Sequence, residues 1–140
     1  MYKNNMKVVF PAFSDNERFA RTVAAAFVIE LDPTVDQLSE IKTAISEAVT
    51  NSIIHGYDGK SGEVTLEGGI YDDTVEFTVS DDGVGIPDIR RAREPLFTGK
   101  PEMERSGMGF TIMEAFMDAV EVESVVGKGT RITMSKKLGG

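Results

Sequence analysis

The sequence predicts an α+β fold of two layers, in which helices cover one face of a mixed, mostly antiparallel sheet. Strand and helix periodicities follow one another in the order β, α, α, β, β, long loop, α, β, β. Each of the two consecutive strand pairs is joined by a short turn, which predicts a hairpin. The 140 residues suffice for a domain that buries about two-thirds of its unfolded surface, so we expect a single domain spanning residues 1–140.

The composition excludes several classes of function. The 23 acidic residues outnumber the 15 lysines and arginines, which leaves a net charge of −8 that phosphate backbones of nucleic acids would repel. The absence of cysteine removes disulfides, thiolate nucleophiles and zinc–thiolate sites. No apolar run approaches the ~20 residues of a membrane span, and Met1–Lys7 lacks the apolar core of a signal peptide. We therefore expect a cytoplasmic protein.

A strand and a helix are predicted first. Lys7–Phe10 is rich in β-forming residues, and Pro11 either ends that strand or places it at a sheet edge, because proline has no N–H for a ladder. Ser14–Glu17 has the S-x-x-E pattern of a capping box, so a helix should begin there and run to about Leu31. The predicted buried stripe of this helix is Phe19, Val23 and Phe27.

A second helix is predicted from about residue 34 to residue 55, where a glycine ends it. Its start has two explanations. In the first, Asp32 is the N-cap and Pro33 is the first helical residue. In the second, Thr34 is the N-cap and Gln37 is its capping partner. The residues that share its apolar face are Leu38, Ile41, Ile45, Ala48 and Ser52.

The next segments, 64–70 and 75–79, alternate apolar and polar residues around Asp72-Asp73, which predicts the first hairpin. Gly68-Gly69 should weaken or bulge its first strand.

Residues 88–106 fit neither period, and we expect a functional lid with one helical turn near residues 89–92. A third helix opens at Gly107-Met108-Gly109, and a final hairpin pairs segments 120–122 and 132–134. The predicted apolar residues of the third helix are Phe110, Met113 and Met117.

Three polar residues form a row on the second helix. Glu47, Asn51 and His55 are four residues apart, so they lie along one nearly axial line beside the apolar face. Polar groups at the border of a buried stripe can face a cleft. A solvated flank with a half-buried histidine explains the same spacing and is the alternative.

Two glycine-rich segments favour a ligand. Asp81-Asp82-Gly83-Val84-Gly85 follows a strand, so its backbone can approach a planar ligand while Asp81 accepts a hydrogen bond from an exocyclic amine. A tight turn is the alternative there. Gly107-Met108-Gly109 opens a helix, where unpaired N–H groups favour an anion, and a lid hinge is the alternative.

The predicted lid is cationic. Segment 90–106 holds five basic and three acidic residues, hence +2, in a chain of net charge −8. A cationic lid beside a glycine-rich helix start suggests phosphate, whereas surface arginines on a loop are the alternative. The Walker pattern G-x-x-x-x-G-K-[ST] is absent, so a P-loop is not the explanation.

The order of these features (helix row, acid–glycine turn, lid and Gly-x-Gly helix start) resembles the GHKL superfamily of ATP-binding folds, the Bergerat fold of gyrase, Hsp90, MutL and histidine kinases. The match covers about residues 14–134. Several stretches of the sequence resemble the bacterial anti-sigma serine kinases more closely still, and in particular their sporulation branch, the anti-sigma F factors. The stretches that carry this closer match are 40–43, 46–51, 54–57, 95–98 and 105–114, of which the last two are the most specific.

The resemblance implies roles for the site residues. It makes Asn51 the side-chain ligand of Mg²⁺ and Glu47 the catalytic base for the attacking hydroxyl. Arg105, at the end of the lid, would neutralise charge on the γ-phosphate, with Lys100 as a weaker candidate. Asp81 would take the adenine amine. The other implied contacts to ATP or ADP are His55, Gly83, Gly85, Ser106, Gly107, Met108, Gly109, Phe110 and Thr130.

The resemblance also implies two partners. The family binds sigma factor F, keeping it from RNA polymerase, and phosphorylates a serine of an anti-anti-sigma factor. Arg21 matches an arginine that touches both partners, and a solvated helix arginine is the alternative. We expect a homodimer in which the edge-like first strand is a plausible pairing site. Neither nucleic acid nor membrane is an expected partner.

Three other functions remain open. One is a general-stress anti-sigma B type kinase, which the sequence of residues 95–98 and 105–114 disfavours. Another is a nucleotide-gated binding module without kinase activity, which has no use for Glu47 as a base. The third is an isolated ATP-binding domain of a histidine kinase; against it, no phosphoacceptor helix is evident, and His55 is the only histidine.

Overall fold

A computed structural model describes residues 3–57, 60–86, 93 and 109–139. Apart from Arg93, the predicted lid lies outside these residues, as do Lys100, Arg105, Ser106, Gly107 and Met108. The elements are β1 (Asn4–Pro11), α1 (Asn16–Phe27), α2 (Val35–Asn51), β2 (Glu63–Tyr71), β3 (Thr74–Asp81), α3 (Gly109–Phe116), β4 (Ala119–Val125) and β5 (Gly129–Lys137).

The five described strands form one sheet in the order β1-β2-β3-β5-β4. Both predicted hairpins are present, as β2–β3 and β4–β5, and β1 lies at an edge with Pro11 as its last residue. Every neighbouring pair is antiparallel. The expectation of a mixed sheet is therefore wrong for the described strands. The two-layer α+β architecture is as predicted, with α1 and α3 packed against the central α2.

The core lies between α2 and the sheet face that we call the inner face. The apolar positions predicted from strand alternation all point there, since alternate residues of a strand lie on one face. Those fully buried on the strands are Val64, Leu66, Ile70, Val75, Phe77, Ile132 and Met134. Those of α2 are Ile41, Ala44, Ile45, Ala48 and Val49.

The start of α2 is the second of the two predicted alternatives. The Gln37 N–H donates to Thr34 Oγ1 at 3.1 Å, and the Thr34 N–H donates to Gln37 Oε1 at 2.9 Å. This reciprocal pair satisfies two N–H groups that the helix itself leaves without partners. The α-helix ends at Asn51 and continues as a π-helical turn, Ser52–Gly56, so the glycine ends the helical run as expected.

The buried face of α1 differs from the prediction. Ala20 and Ala24 are fully buried, whereas Phe19 is 47% exposed. Because the distance between packed helices depends on the side chains at the contact, alanines let α1 approach α2 closely and leave the larger residues at the flanks. Phe19 packs edge-on against Phe10, and Phe27 packs edge-on against Phe77.

The predicted capping box of α1 is also absent. Asp15 is the N-cap residue and makes no side-chain capping hydrogen bond, while the Glu17 N–H donates to the backbone oxygen of Ser14. A 3₁₀ turn, Val28–Leu31, carries the helical run to its predicted end.

The glycine pair of β2 does not bulge the strand. Gly68 lies opposite Phe77 and Met6, and the pairing continues without interruption on both sides. A Cβ at Gly68 would lie 2.9 Å from the ring of Phe27. The glycine therefore makes room for an aromatic side chain of α1.

Candidate functional site

A row of polar side chains crosses the inner face at one end of the sheet. Asp81 on β3 lies opposite Thr130 on β5, which in turn lies opposite Ser124 on β4. The next inner-face row of the same strands is apolar, with Val79 opposite Ile132. Asp81 and Thr130 are both buried. Polar groups are costly to bury without partners, so this row marks the candidate site.

Asp81 has one satisfied and one unsatisfied carboxylate oxygen. Oδ1 accepts a hydrogen bond from the Gly83 N–H at 2.9 Å. Oδ2 is buried and has no hydrogen-bond partner within the part of the chain that the structure describes. Burial raises the pKa of Asp81, and the neighbouring charge of Asp82 adds to the rise. The Gly83 N–H, the nearby Ser52 hydroxyl and the Thr130 backbone N–H oppose it with smaller effects. An N–H donor on a ligand would complete the carboxylate.

The π-helical turn and Tyr57 hold the loop after Asp81 from one side. The Val84 N–H donates to the Gly56 carbonyl at 2.8 Å. The Tyr57 hydroxyl accepts from the Asp82 N–H at 2.9 Å and donates to the carbonyl of Glu63. These bonds join the end of α2 to the end of β3.

The β4–β5 hairpin holds the same loop from the other side. The Gly127 N–H donates to the Val84 carbonyl at 2.8 Å. The Ile86 N–H donates to Ser124 Oγ at 2.7 Å. Residues 81–86 are thus bound on both sides, so the backbone around Asp81 is well defined by its neighbours.

The glycines of this loop have a structural requirement besides the predicted one. A Cβ at Gly83 would lie 2.0 Å from the Gly56 carbonyl oxygen, and one at Gly85, where φ is +79°, would lie 2.5 Å from the Val125 carbonyl oxygen. The expectation was that both leave room for a planar ring. In the structure, neighbouring protein backbone leaves no room for a Cβ at either position, and the room for a ring stays a prediction.

The predicted helix row ends close to this loop. Glu47 and Asn51 are on the last turns of α2, and His55 is in the π-helical turn; all three are half-buried. A Cβ at Gly56, the next residue, would lie 2.9 Å from the Asp81 carboxylate. π-Helical turns occur frequently at functional sites.

The start of α3 is the third described part of the predicted site. Gly109 is its first residue, and the Phe110 side chain is buried in the core. The contact of Phe110 with a nucleotide stays a prediction. Arg93, within the predicted lid, donates to Glu114 Oε1 at 2.8 Å and to the Val120 carbonyl at 3.3 Å.

Arg21 lies apart from the Asp81 row. It is half-buried on α1 and forms an ion pair with Glu17 at 3.5 Å. It lines a groove of about 660 Å³ between α1 and α2, together with Arg18 and Lys42.

Sequence reasoning missed the residues that hold the loop. Tyr57 and Ser124 were not among the predicted site residues. Ser124 carried a usable signal, because it follows Val120 and Val122 at the inner positions of β4 and is the polar residue in that series. A hydroxyl where alternation predicts an apolar side chain needs a partner.

The described residues hold neither a metal cluster nor a membrane-spanning helix. They contain no group of three or more His, Asp or Glu side chains that could hold a metal ion. No helix among them is long and apolar enough to cross a membrane.

The chain matches the family model of the histidine kinase-like ATPase domain over residues 10–136. It is 61% identical over 135 residues to the anti-sigma F factor of Geobacillus stearothermophilus, covering 96% of this chain and 92% of that protein. The anti-sigma F factor of Oceanobacillus iheyensis is 58% identical over 137 residues, or 97% of this chain and 94% of the relative. That of Clostridium kluyveri is 57% identical over 136 residues, with coverages of 97% and 96%.

Solved structures have the same fold at low identity. One contains the RsbU and RsbW domains of a Mycobacterium tuberculosis protein, with a TM-score of 0.68, 20% identity, and coverage of 97% of this chain and 32% of that one. The other is the nucleotide-free catalytic domain of the histidine kinase ThkA, with a TM-score of 0.57, 16% identity, and coverages of 95% and 96%.

Proposed function

Since the chain belongs to the histidine kinase-like ATPase family and, within it, to the anti-sigma F factors, we propose that it binds and inhibits sigma factor F and phosphorylates a serine of an anti-anti-sigma factor, using ATP and Mg²⁺. The observation that carries the nucleotide part is the buried Asp81 carboxylate, whose Oδ2 has no hydrogen-bond partner among the described residues. The exocyclic amine of adenine is a donor of the kind that this oxygen requires.

The proposed division of labour follows the row on α2. Asp81 and Thr130 would hold the adenine end, His55 would line the pocket, and Asn51 would contribute its amide oxygen to Mg²⁺. One neutral ligand is chemically sensible, because Mg²⁺ at phosphoryl-transfer sites is held mostly by phosphate oxygens and water. Bound Mg²⁺ would neutralise charge on the phosphates.

Glu47, one turn before Asn51, is the proposed general base that accepts the proton of the attacking serine hydroxyl. The backbones of Gly83, Gly85, Gly109 and Phe110 complete the described part of the proposed nucleotide site. The proposed lid contacts lie outside the described residues: Lys100, Arg105, Ser106, Gly107 and Met108.

Replacing Asn51 with alanine is expected to weaken Mg²⁺-dependent ATP binding by about tenfold, since it removes one ligand of a partly hydrated ion. Calorimetric titration with ATP, with and without Mg²⁺, measures this. Ser39→Ala, an exposed position of the same helix, is the control and should bind as the wild type does. Wild-type protein that binds no ATP at millimolar concentration would contradict the proposed function. Equal binding by Asn51→Ala and the wild type in Mg²⁺ would exclude Asn51 as the ligand.

We propose the groove between α1 and α2 as the partner surface. Arg18, Arg21 and Lys42 give it a positive lining beside Glu17, in a chain of net charge −8. Partner-facing arginines frequently contribute much of the binding energy. The dimer is proposed to form through β1, because an edge strand presents unpaired N–H and C=O groups.

Arg21→Ala is therefore expected to weaken binding of purified sigma factor F by about tenfold or more, with ATP affinity unchanged. Surface plasmon resonance with immobilised sigma factor measures the first quantity, and calorimetry the second. Arg131→Ala, an exposed arginine on β5, is the matched control. Undiminished sigma factor binding by Arg21→Ala would make Arg21 an ordinary solvated helix arginine.

A further inference from the structure

Ser124 is placed at the meeting point of three elements of the site. Its hydroxyl oxygen lies 2.7 Å from the Ile86 nitrogen, 3.0 Å from the Gly129 carbonyl oxygen and 2.9 Å from Thr130 Oγ1. The first belongs to the loop after Asp81, and the other two belong to β5. One half-buried side chain of an edge strand thus links the loop to the residue opposite Asp81.

The fixed polarity of the backbone groups assigns the direction of each bond. A serine hydroxyl has one proton to donate and two lone pairs that accept. The Ile86 N–H can only donate, so it takes one lone pair of Ser124. The Gly129 carbonyl can only accept, so it takes the Ser124 proton. The second lone pair is then left for the proton of Thr130.

This assignment leaves Thr130 with lone pairs only. Its proton is engaged by Ser124, so toward any other group the hydroxyl oxygen acts as an acceptor. Asp81, directly opposite on β3, is acceptor-only when it is ionised. The buried end of the site therefore offers two neighbouring acceptors, a combination that suits a base with an N–H₂ group and disfavours one with a keto oxygen at the same place.

We propose that Ser124 is a positioning residue that holds Thr130 as an acceptor and thereby makes the site select 6-aminopurine over 6-ketopurine nucleotides. The inference rests on the proposed nucleotide-binding function of this site. Ser124 acts through Thr130 and Ile86 and does not itself contact the base. Its effect is on which base binds, in addition to how tightly.

The test compares the dissociation constants of ATP and inosine triphosphate, which carries a keto oxygen in place of the amine. The wild type should prefer ATP by about tenfold or more. Ser124→Ala should weaken ATP binding by about 5- to 10-fold, the usual effect of leaving buried polar groups without a partner. It should also narrow the preference for ATP by about fivefold, because the freed Thr130 proton can then be donated to the keto oxygen.

Two variants separate positioning from simple structural support. Ser124→Thr keeps the hydroxyl and should restore the wild-type preference. Ser135→Ala, which removes a hydroxyl from β5 away from the Asp81 row, should leave both constants unchanged. If Ser124→Ala does not fold, Ser124→Cys has the same shape with a much weaker hydrogen-bonding group, and it should narrow the preference in the same direction.

The outcomes distinguish the inference from the function on which it rests. Equal weakening of both nucleotides, with the preference unchanged, would overturn the positioning role and leave the nucleotide site intact. Wild-type protein that binds neither nucleotide would overturn the inference together with the proposed function.

Discussion

Replacing Glu47 with alanine is expected to lower the rate of serine phosphorylation by about 10²- to 10⁴-fold, the usual contribution of a positioned general base. The affinity for ATP should stay within about threefold of the wild type, because a base for the attacking hydroxyl acts on the acceptor and not on the bound nucleotide. Phosphate transfer from labelled ATP to a purified anti-anti-sigma factor measures the rate. Calorimetry measures the affinity.

Two further variants sharpen this result. Glu47→Gln keeps the shape of the side chain, but glutamine is a far weaker base. The rate of serine phosphorylation should therefore fall as much in Glu47→Gln as in Glu47→Ala. Glu121→Ala, an exposed position on β4, removes the same charge elsewhere and should leave the rate unchanged. Full activity in Glu47→Gln would exclude Glu47 as the base. Normal ATP binding without transfer in the wild type would instead favour a nucleotide-gated binding module.

Asp81→Asn is expected to weaken ATP binding by about 10- to 100-fold, which is the measured range for losing a hydrogen bond to a charged group. Asparagine keeps the size of the side chain, and its carbonyl oxygen can still accept from the Gly83 N–H. Its amide nitrogen, however, cannot accept from an exocyclic amine. Calorimetry with ATP measures the change, and unchanged affinity would exclude Asp81 as the residue that recognises adenine.

The same variant should be more stable than the wild type at neutral pH. Burial raises the pKa of Asp81 above its ordinary 3.8, so between 3.8 and the raised pKa the folded chain binds more protons than the unfolded chain. The free energy of unfolding contributed by this carboxyl therefore falls as the pH rises through that window, and the deficit persists above it. Asparagine does not titrate, so it makes no such pH-dependent contribution to the free energy of unfolding.

Urea unfolding without nucleotide, at several pH values, measures this effect. The stability advantage of Asp81→Asn should be smallest below pH 3.8, should grow as the pH rises through the window, and should then level off. A variant less stable than the wild type at neutral pH would contradict the prediction. Higher stability of Asp81→Asn, together with weaker ATP binding, would show that the carboxylate is kept for function at a cost to the fold, as is common at functional sites.

The features that the sequence determined by itself are those with local causes. The start of α2 follows from Thr34 and Gln37, which are three residues apart and satisfy each other. Its buried face and the two hairpins follow from the periods of 3.6 and 2 that any helix and strand impose on side-chain direction. Short local patterns also identified two parts of the candidate site. These are the row Glu47, Asn51 and His55, and the carboxylate of Asp81.

The tertiary structure alone decided features that depend on distant segments. The aromatic residues of α1 formed as regular a stripe as the alanines, and only the close approach of α2 selects Ala20 and Ala24. β3 pairs with β5, about fifty residues away along the chain, in an antiparallel sense that no local pattern indicates. Gly83 is required by the carbonyl of Gly56, a contact between segments that the sequence keeps apart.

Ser124 shows the same difference between what the local sequence determines and what the tertiary structure determines. Its place on β4 was predictable from alternation, but its role depends on a donor from Ile86 and an acceptor at Gly129 that the fold brings to the same oxygen. Local patterns specify periodicity and caps because a residue's near neighbours are fixed by the chain. Register between strands, close backbone contacts and hydrogen-bond polarity are specified only once distant segments meet, because they are properties of the pair and not of either segment.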